Sequence, residues 1–285
     1  MAPDSVDGRI QFERSVGEDA PRLLIDFLHQ HTGLSKQQLK DAAVKGAVLL
    51  RRAGNTRRVR RAKTELRSGD RIELHYDREL LALRPPVARC LADLGGYSLW
   101  YKPAGLLAQG NEFGDHCALT RQAEQAWQPA RLVWLVHRLD REASGVMLLA
   151  HSRRVAAKLS RQFQEHLVQK TYRVQVQGDI GTALGLQGAI ERPLDGKPAH
   201  TEYRVEKWNA DTQRATLQVR IHTGRLHQIR RHLAEVGFPV VGDPRYGAHN
   251  KDAGGLRLAA VALAFHCPLP DVPVEFRLTP EEVGF

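Results

Sequence analysis

Between two apolar runs of strand length, Leu132 to Val136 and Val146 to Ala150, the chain places the carboxylate of Asp140, flanked by Arg138 and Arg141 and followed by Ser144-Gly145. Nearby positive charge favours the ionised form of a carboxylate. The spacing therefore predicts an anionic Asp140 at the mouth of two buried strands. A surface turn with local ion pairs would use the same residues, so the rest of the chain has to decide. Other site types find less support. His222, His227 and His232 recur every five residues, which does not stack them on one helical face as a metal pair at i, i+4 would be, and no metal is expected. No GxGxxG follows a strand, and neither a Walker A loop nor a GxSxG elbow is present, so no nucleotide cofactor or serine nucleophile is indicated. Cys90, Cys117 and Cys267 are far apart and odd in number, which fits a reducing compartment rather than a disulfide framework or a CxxC metal site.

The elements around Asp140 follow from periodicity. Tyr97 to Tyr101 reads as a strand ending at Lys102-Pro103-Ala104-Gly105, and the stretch to about residue 130 is polar, with a short helix around Ala118 to Ala126. Ser152 caps a helix whose Ala156, Leu159, Phe163 and Leu167 share a face. Lys170 to Val176 alternates strictly, which puts Tyr172, Val174 and Val176 on one side of a strand. Two further alternating segments, Ala199 to Val205 and Ala215 to Ile221, lead into a helix. Its expected N-cap is Thr223, its buried stripe Leu226, Ile229, Leu233 and Val236, and its polar side carries His227, Arg230, Arg231 and Ala234. Short strands around Leu256 to Phe265 and Val274 to Leu278 complete an α+β pattern on a mostly antiparallel mixed sheet with flanking helices.

The N-terminal part differs in character. After a polar segment, residues 1–19, Asp19 is a candidate cap for a helix carrying Leu23, Leu24, Phe27 and Leu28. Ser35 with Gln38 forms a capping box, and Gly46 stops that second helix. A hairpin follows, turning at Gly54-Asn55, and a last strand enters through Gly69-Asp70. Arg51, Arg52, Arg57, Arg58, Arg60, Arg61, Lys63 and Arg67 crowd into seventeen positions against the single acid Glu65. Because strand and turn signals interleave with them, they predict a folded basic surface rather than a tail. Residues 20–78 thus read as one small α/β-hairpin module, residues 79–95, with Pro85-Pro86, as a linker, and residues 96–285 as the larger domain.

The chain has 285 residues, 42% of them hydrophobic, and a formal net charge of +10. That length suits a large and a small domain at ~150 residues each. No window approaches the ~18 apolar residues of a membrane span, and the N-terminus has no apolar signal region. Such positive charge without an amphipathic basic helix points to nucleic acid rather than to a membrane. A cytoplasmic monomer is expected.

Taken together, His137-Arg138-Leu139-Asp140-Arg141 with Ser144-Gly145 resembles the signature of the RluA-type pseudouridine synthases. Lys102-Pro103-Ala104-Gly105, Lys170-Thr171-Tyr172, Thr223-Gly224-Arg225 with His227-Gln228-Ile229-Arg230, and Gly242-Asp243 with Tyr246-Gly247 fall in the family's order. The resemblance implies that Asp140 acts on the uridine as its glycosidic bond breaks, that Tyr172 lies against the target ring, and that Arg230 pairs with Asp140. It implies that Arg138 holds the extruded nucleotide, with His137, Arg141, Arg225 and His227 as further RNA contacts, and that no cofactor is needed. Ala143 replaces a usual threonine and Ala259 a common histidine. Residues 20–78 resemble the alpha-L RNA-binding module, through Leu23 to His31, Gly33 to Leu39, Lys45 to Val48 and Gly69-Asp70. That resemblance implies an RNA grip built on Arg57, Arg58, Arg60, Arg61 and Lys63, for ribosomal or transfer RNA. Two rival classes stay open: an RNA-binding or chaperone protein on the same scaffold, and a metal-dependent nuclease.

Overall fold

The computed structural model describes all residues except 1–4, 7, 248, 249 and 271, so the first part of the N-terminal segment lies outside the described residues. The chain forms two compact units, residues 1–85 with 109–122, and residues 86–108 with 123–285.

The first unit is a five-stranded antiparallel sheet with helices. Its elements are β1 (Ser5–Val6), β2 (Arg9–Ser15), α1 (Leu24–Thr32), α2 (Lys36–Val44), β3 (Val48–Arg52), β4 (Asn55–Arg58), β5 (Arg71–Asp77) and α3 (Arg78–Ala82), with sheet order β1-β2-β5-β3-β4. Helix α1 buries Leu24, Phe27 and Leu28 and stops at Gly33 in the left-handed region. Its N-cap is Leu23, without a side-chain cap. Asp19 is therefore not the cap; Leu23 instead bridges to Glu65 along the backbone. The capping box on α2 forms as expected, with Gln38 N–H donating to Ser35 Oγ and Ser35 N–H to Gln38 Oε1. The β3–β4 hairpin turns on Ala53 and Gly54, both at positive φ, one residue earlier than the sequence suggested. Positive φ at both central positions matches the right-handed twist of the flanking strands. Strand β2, in a segment read as merely polar, pairs along its whole length with β5. Residues 79–95 hold α3 and β6 (Arg89–Asp93), so that stretch is structured rather than irregular.

The second unit is a ten-stranded mixed sheet. After β6 come β7 (Tyr97–Lys102), α4 (Leu119–Gln125, which begins in the 109–122 segment of the first unit), β8 (Trp134–Leu135), β9 (Ser144–Ala150), α5 (Arg153–Gln164), β10 (Gln169–Gln177), α6 (Ile180–Leu184) and β11 (Gln187–Ile190). The chain ends with β12 (Thr201–Asn209), β13 (Arg214–Ile221), α7 (Gln228–Glu235), β14 (Leu258–His266), β15 (Pro273–Arg277) and α8 (Pro280–Val283). The sheet order is β11-β12-β13-β10-β14-β9-β7-β6, with β15 on β14 and β8 on β9. Only β9 with β14 is parallel among the described pairs, in line with the mostly antiparallel α+β expectation.

Strand β14 is the hinge of the packing. Its Leu258 and Ala260 join one core with Tyr172, Val174, Leu217, Ile229 and Leu233, whereas Ala259, Val261 and Leu263 join another with Leu99, Val146, Leu148 and Leu159. A central strand buried on both faces reads as an unbroken apolar run. Gly145, which enters β9 at φ 119°, lies so close to β14 that a Cβ there would sit 2.2 Å from the Ala260 carbonyl oxygen. Only glycine lets the two strands approach here, and that approach fixes the base of the loop carrying Asp140.

Candidate active site

Asp140 sits on the loop between β8 and β9, and its oxygens face a cavity of about 550 Å³ between the loop, β10 and α7. Tyr172, Arg230, His137, Arg138, Arg225 and His227 line the same cavity. Residues scattered over almost a hundred positions of sequence are thus brought together. Such a volume falls within the range of small-molecule pockets.

The ion partner of Asp140 comes from α7. Arg230 Nη1 donates to Asp140 Oδ2 at 3.1 Å, while its Nε and Nη2 grip Asp243 at 2.7 and 2.8 Å. The Arg230 side chain is 1% exposed and that of Asp243 0%. Two corrections to the sequence reading follow. Arg230, expected on the polar side of the helix and implied by the resemblance to pair with Asp140, makes that pairing but is buried. Two carboxylates satisfy it, and hydropathy periodicity cannot register the second. The flanking arginines do not hold Asp140, since Arg141 turns its Nε to the Gly105 carbonyl and Arg138 is exposed. The N-cap of α7 also differs. His227 occupies it in the left-handed region, and Thr223 Oγ1 donates instead to Gln228 Oε1 at 2.7 Å. Leu226, expected in the buried stripe, is exposed because the helix starts only after it.

Asp243 is itself anchored. Its Oδ1 accepts the backbone N–H of Arg245 and of Tyr246. Burial would raise its carboxyl, but the Arg230 hydrogen bonds and these two N–H groups outweigh that and hold it below the usual range. Burial likewise works against the Arg230 charge, and the hydrogen bonds to Asp243 and Asp140 reverse it, raising the guanidinium above its ordinary value. A buried ion pair persists only with this completeness of hydrogen bonding. The Tyr246 ring lies beside the guanidinium, 5.3 Å from Arg230 Cζ to the ring centroid, and its hydroxyl is 3.0 Å from His227 Nδ1. His227 Nε2 in turn stands 3.9 Å from Asp140 Oδ1.

Beneath these groups Tyr172 is buried at the cavity floor, and burial together with the Asp140 charge raises its phenol above the ordinary value. It stays a neutral hydroxyl at physiological pH. His137 is a scaffold residue as well as a lining one. Its ring stacks on Phe163 at 4.4 Å, Leu148 N–H donates to its Nε2 at 2.9 Å, and burial beside Lys170 pushes its pKa down to about 3.

Lys102 was only a landmark in the sequence, and the structure gives it a place. Its fully buried ammonium donates to the carbonyls of Pro103, Leu106 and Arg141 at 3.1, 2.8 and 3.2 Å. Burial pushes it down to about 7 against the pull of Asp140 and Glu142. It ties the Lys102 to Leu106 turn to the Asp140 loop. Asp243 and Tyr246 were likewise noted as sequence landmarks without a role; nothing in the local pattern ties them to Arg230.

The basic group of the first unit divides. Arg58 donates to the carbonyls of Gly46 and Asn111, and both Arg58 and Arg60 pair with Asp115. Arg57, Arg61 and Lys63 are exposed.

The arrangement defines a chemistry. One carboxylate is oriented by a guanidinium that is itself locked in place, over a neutral phenol, in a pocket of nucleoside size. The description of the RNA pseudouridylate synthase family matches residues 96–235. An uncharacterized RNA pseudouridine synthase of Aquifex aeolicus is 32% identical over 241 residues, covering 75% of this chain and 72% of that protein. The dual-specificity RNA pseudouridine synthase RluA of Vibrio parahaemolyticus is 31% identical over 210 residues, covering 65% of this chain and 82% of that one. The solved structure of human RNA pseudouridylate synthase domain containing 1 shares the fold, with a TM-score of 0.56 at 21% identity over 69% of this chain and 86% of that chain. The chain belongs to the RNA pseudouridine synthases. Within them it is of the RluA type.

Proposed function

We propose that this chain converts uridine in structured ribosomal or transfer RNA to pseudouridine, with Asp140 as the catalytic carboxylate. The observation that carries the reading is the Asp243–Arg230–Asp140 chain of hydrogen bonds, which aims one carboxylate into the cavity. The reaction breaks N1–C1′, turns the uracil, and joins C5 to C1′; a proton leaves C5 and one is taken up at N1. Atoms and electrons balance without a redox partner, so the chemistry asks for positioning. Extruding the base costs a few kcal/mol, least where the RNA is already unpaired. Arg138, exposed at the cavity rim, is suited to occupy the gap left in the RNA. In this reading Tyr172 lies against the target ring and takes part in a proton transfer, a role its buried hydroxyl in the cavity lining supports. Ala143, buried on the cavity wall, leaves the lining there without a hydroxyl.

In this reading residues 20–78 are an accessory RNA grip. Its exposed Arg57, Arg61 and Lys63 would meet phosphates without reading sequence. Ribosomal RNA is the favoured target because of this module.

The test is incubation with total cellular RNA followed by site-resolved mapping of pseudouridine. Wild type should add pseudouridine at defined positions and leave the RNA intact, and Asp140→Ala should add none. Equal maps for the two proteins would favour the non-catalytic RNA-binding reading, and chelator-sensitive cleavage would favour the nuclease.

A further inference from the structure

Three neighbouring strand ends converge beside the α7 approach. Glu191 follows β11, His200 precedes β12, and His222 follows β13. The register, with Ile190 opposite Thr201 and Thr201 opposite Ile221, brings their side chains to one edge. The His200 and His222 rings meet at 4.6 Å between centroids. Glu202 reaches both: its Oε1 is 3.0 Å from His222 Nε2 and 3.4 Å from His200 Nε2. On the other side of the His200 ring, Nδ1 is 3.1 Å from Glu191 Oε1.

The chemistry of this contact is unusual. The Glu191 carboxylate, 3.1 Å away, favours the tautomer of His200 with its proton on Nδ1. The bare lone pair of Nε2 is then turned toward the Glu202 oxygen, and Nε2 is buried without a hydrogen-bond partner. A nitrogen lone pair and a carboxylate oxygen repel one another unless a proton or a metal ion lies between them, and a third donor, His222, on the same carboxylate oxygen suits a metal ion. His200, Glu202 and His222 offer one ligand atom each, all within 4.8 Å of one another. Two imidazoles and a carboxylate are a donor set suited to zinc. A carboxylate on the outer nitrogen of a ligating histidine is a recurrent support of such sites.

We propose that His200, Glu202 and His222 bind one divalent transition metal ion, zinc by preference, with Glu191 as the outer carboxylate and the fourth position open to solvent. The five-residue histidine spacing spoke against a metal on a helix; this cluster is assembled across strands instead, and only one of those histidines takes part.

The ion would act on positioning and takes no part in the isomerisation. His222 N–H donates to the His200 carbonyl at 3.2 Å, Gln228 Nε2 donates to the same carbonyl at 2.9 Å, and Arg225 Nε donates to the Pro198 carbonyl. Metal between His200 and His222 would staple residues 198–202 to the turn that leads into α7 and Arg230.

The experiment uses the full chain stripped with a chelator and titrated calorimetrically with ZnCl2, with CoCl2 absorption as the report on coordination. Wild type is expected to bind one Zn²⁺ per chain, to give the visible bands of four-coordinate Co²⁺, and to gain in Tm reversibly. Glu191→Gln should bind about 10-fold more weakly. His222→Gln, at an exposed turn, should lose saturable binding while unfolding cooperatively, and His200→Gln serves if that variant does not fold. Absence of saturable binding to wild type would overturn the proposal and leave the cluster as a proton-sharing contact. So would wild-type affinity in His222→Gln or His200→Gln.

Discussion

Arg230 in the larger unit and Arg58 with Arg60 in the smaller one are all bound to aspartates, and the surroundings differ. Arg230 and Asp243 are 1% and 0% exposed, whereas Arg58, Arg60 and Asp115 retain 25%, 24% and 14%. Stripping water from an ion pair costs several kcal/mol per charge, so the buried set survives only with every donor and acceptor matched. Asp243 achieves that with a bidentate grip and two backbone N–H groups, leaving one Arg230 nitrogen for Asp140. The part-exposed set tolerates rearrangement better, because water can reach its two guanidinium groups. The same pair of residue types therefore builds a rigid aiming device in one place and a tie between a strand and the 109–122 segment in the other.

That contrast can be broken experimentally, and the largest effect is expected at its most hidden member. Asp243→Ala leaves a buried guanidinium half-paired and should lower stability by about 3–5 kcal/mol in urea unfolding. A loss below about 1 kcal/mol, the usual ceiling of a surface pair, would mean that Arg230 is far better solvated than its exposure indicates. Arg230→Lys keeps the charge and loses the planar fork. Misplacing Asp140 by about 1 Å should cut kcat by ~10²-fold, with KM changed much less. An effect confined to KM would place Arg230 in binding instead.

Burial also predicts a pH dependence. With the folded pKa of His137 down to about 3, the unfolded chain takes up a proton below about 6.5 that the folded chain refuses. Stability should thus fall as pH drops from about 6.5 toward 3, and by pH 5 this group accounts for about 2 kcal/mol. His137→Gln, which keeps an acceptor for Leu148 N–H, should lose that much less than wild type between pH 7 and 5. Parallel pH profiles would contradict the assignment.

The exposed side of the comparison gives smaller effects. Replacing Arg57, Arg61 and Lys63 by glutamine should weaken RNA binding and flatten the slope of log K against log salt by about 2–3. Replacing Arg58 and Arg60 should change that slope less, and each ion pair lost should cost ~1 kcal/mol or less of stability. Equal salt slopes for the two sets would erase the distinction between free and engaged arginines.

Much of the site was legible because its motifs are local. Asp140 stands out as a carboxylate set between two arginines and two apolar runs, Tyr172 as the inward residue of an alternating strand, and α2 and α5 announce their starts through Ser35 and Ser152. The hidden parts depend on pairing between distant segments. Periodicity put Arg230 on the polar side of its helix, opposite the buried stripe, because a hydropathy pattern cannot see Asp243, thirteen positions on. It credited Arg138 and Arg141 with holding Asp140, since sequence neighbours are the only partners that spacing can offer; Arg230 entered through the resemblance alone. Lys102 was no more than a landmark at the end of a strand until three carbonyls closed over it. The His200–Glu202–His222 cluster needed the register of β12 against β13. Strand β2 escaped notice because five of its seven residues are exposed and its pattern is weak.

The central claim is that Asp140 acts on the glycosidic bond once a uridine is seated. Its most direct test is single-turnover pseudouridine formation by wild type and Asp140→Asn on an RNA carrying a uridine that the wild type modifies, with RNA affinity measured alongside. Unchanged affinity with no pseudouridine from Asp140→Asn is the predicted result; pseudouridine formed by that variant at the wild-type rate would contradict it.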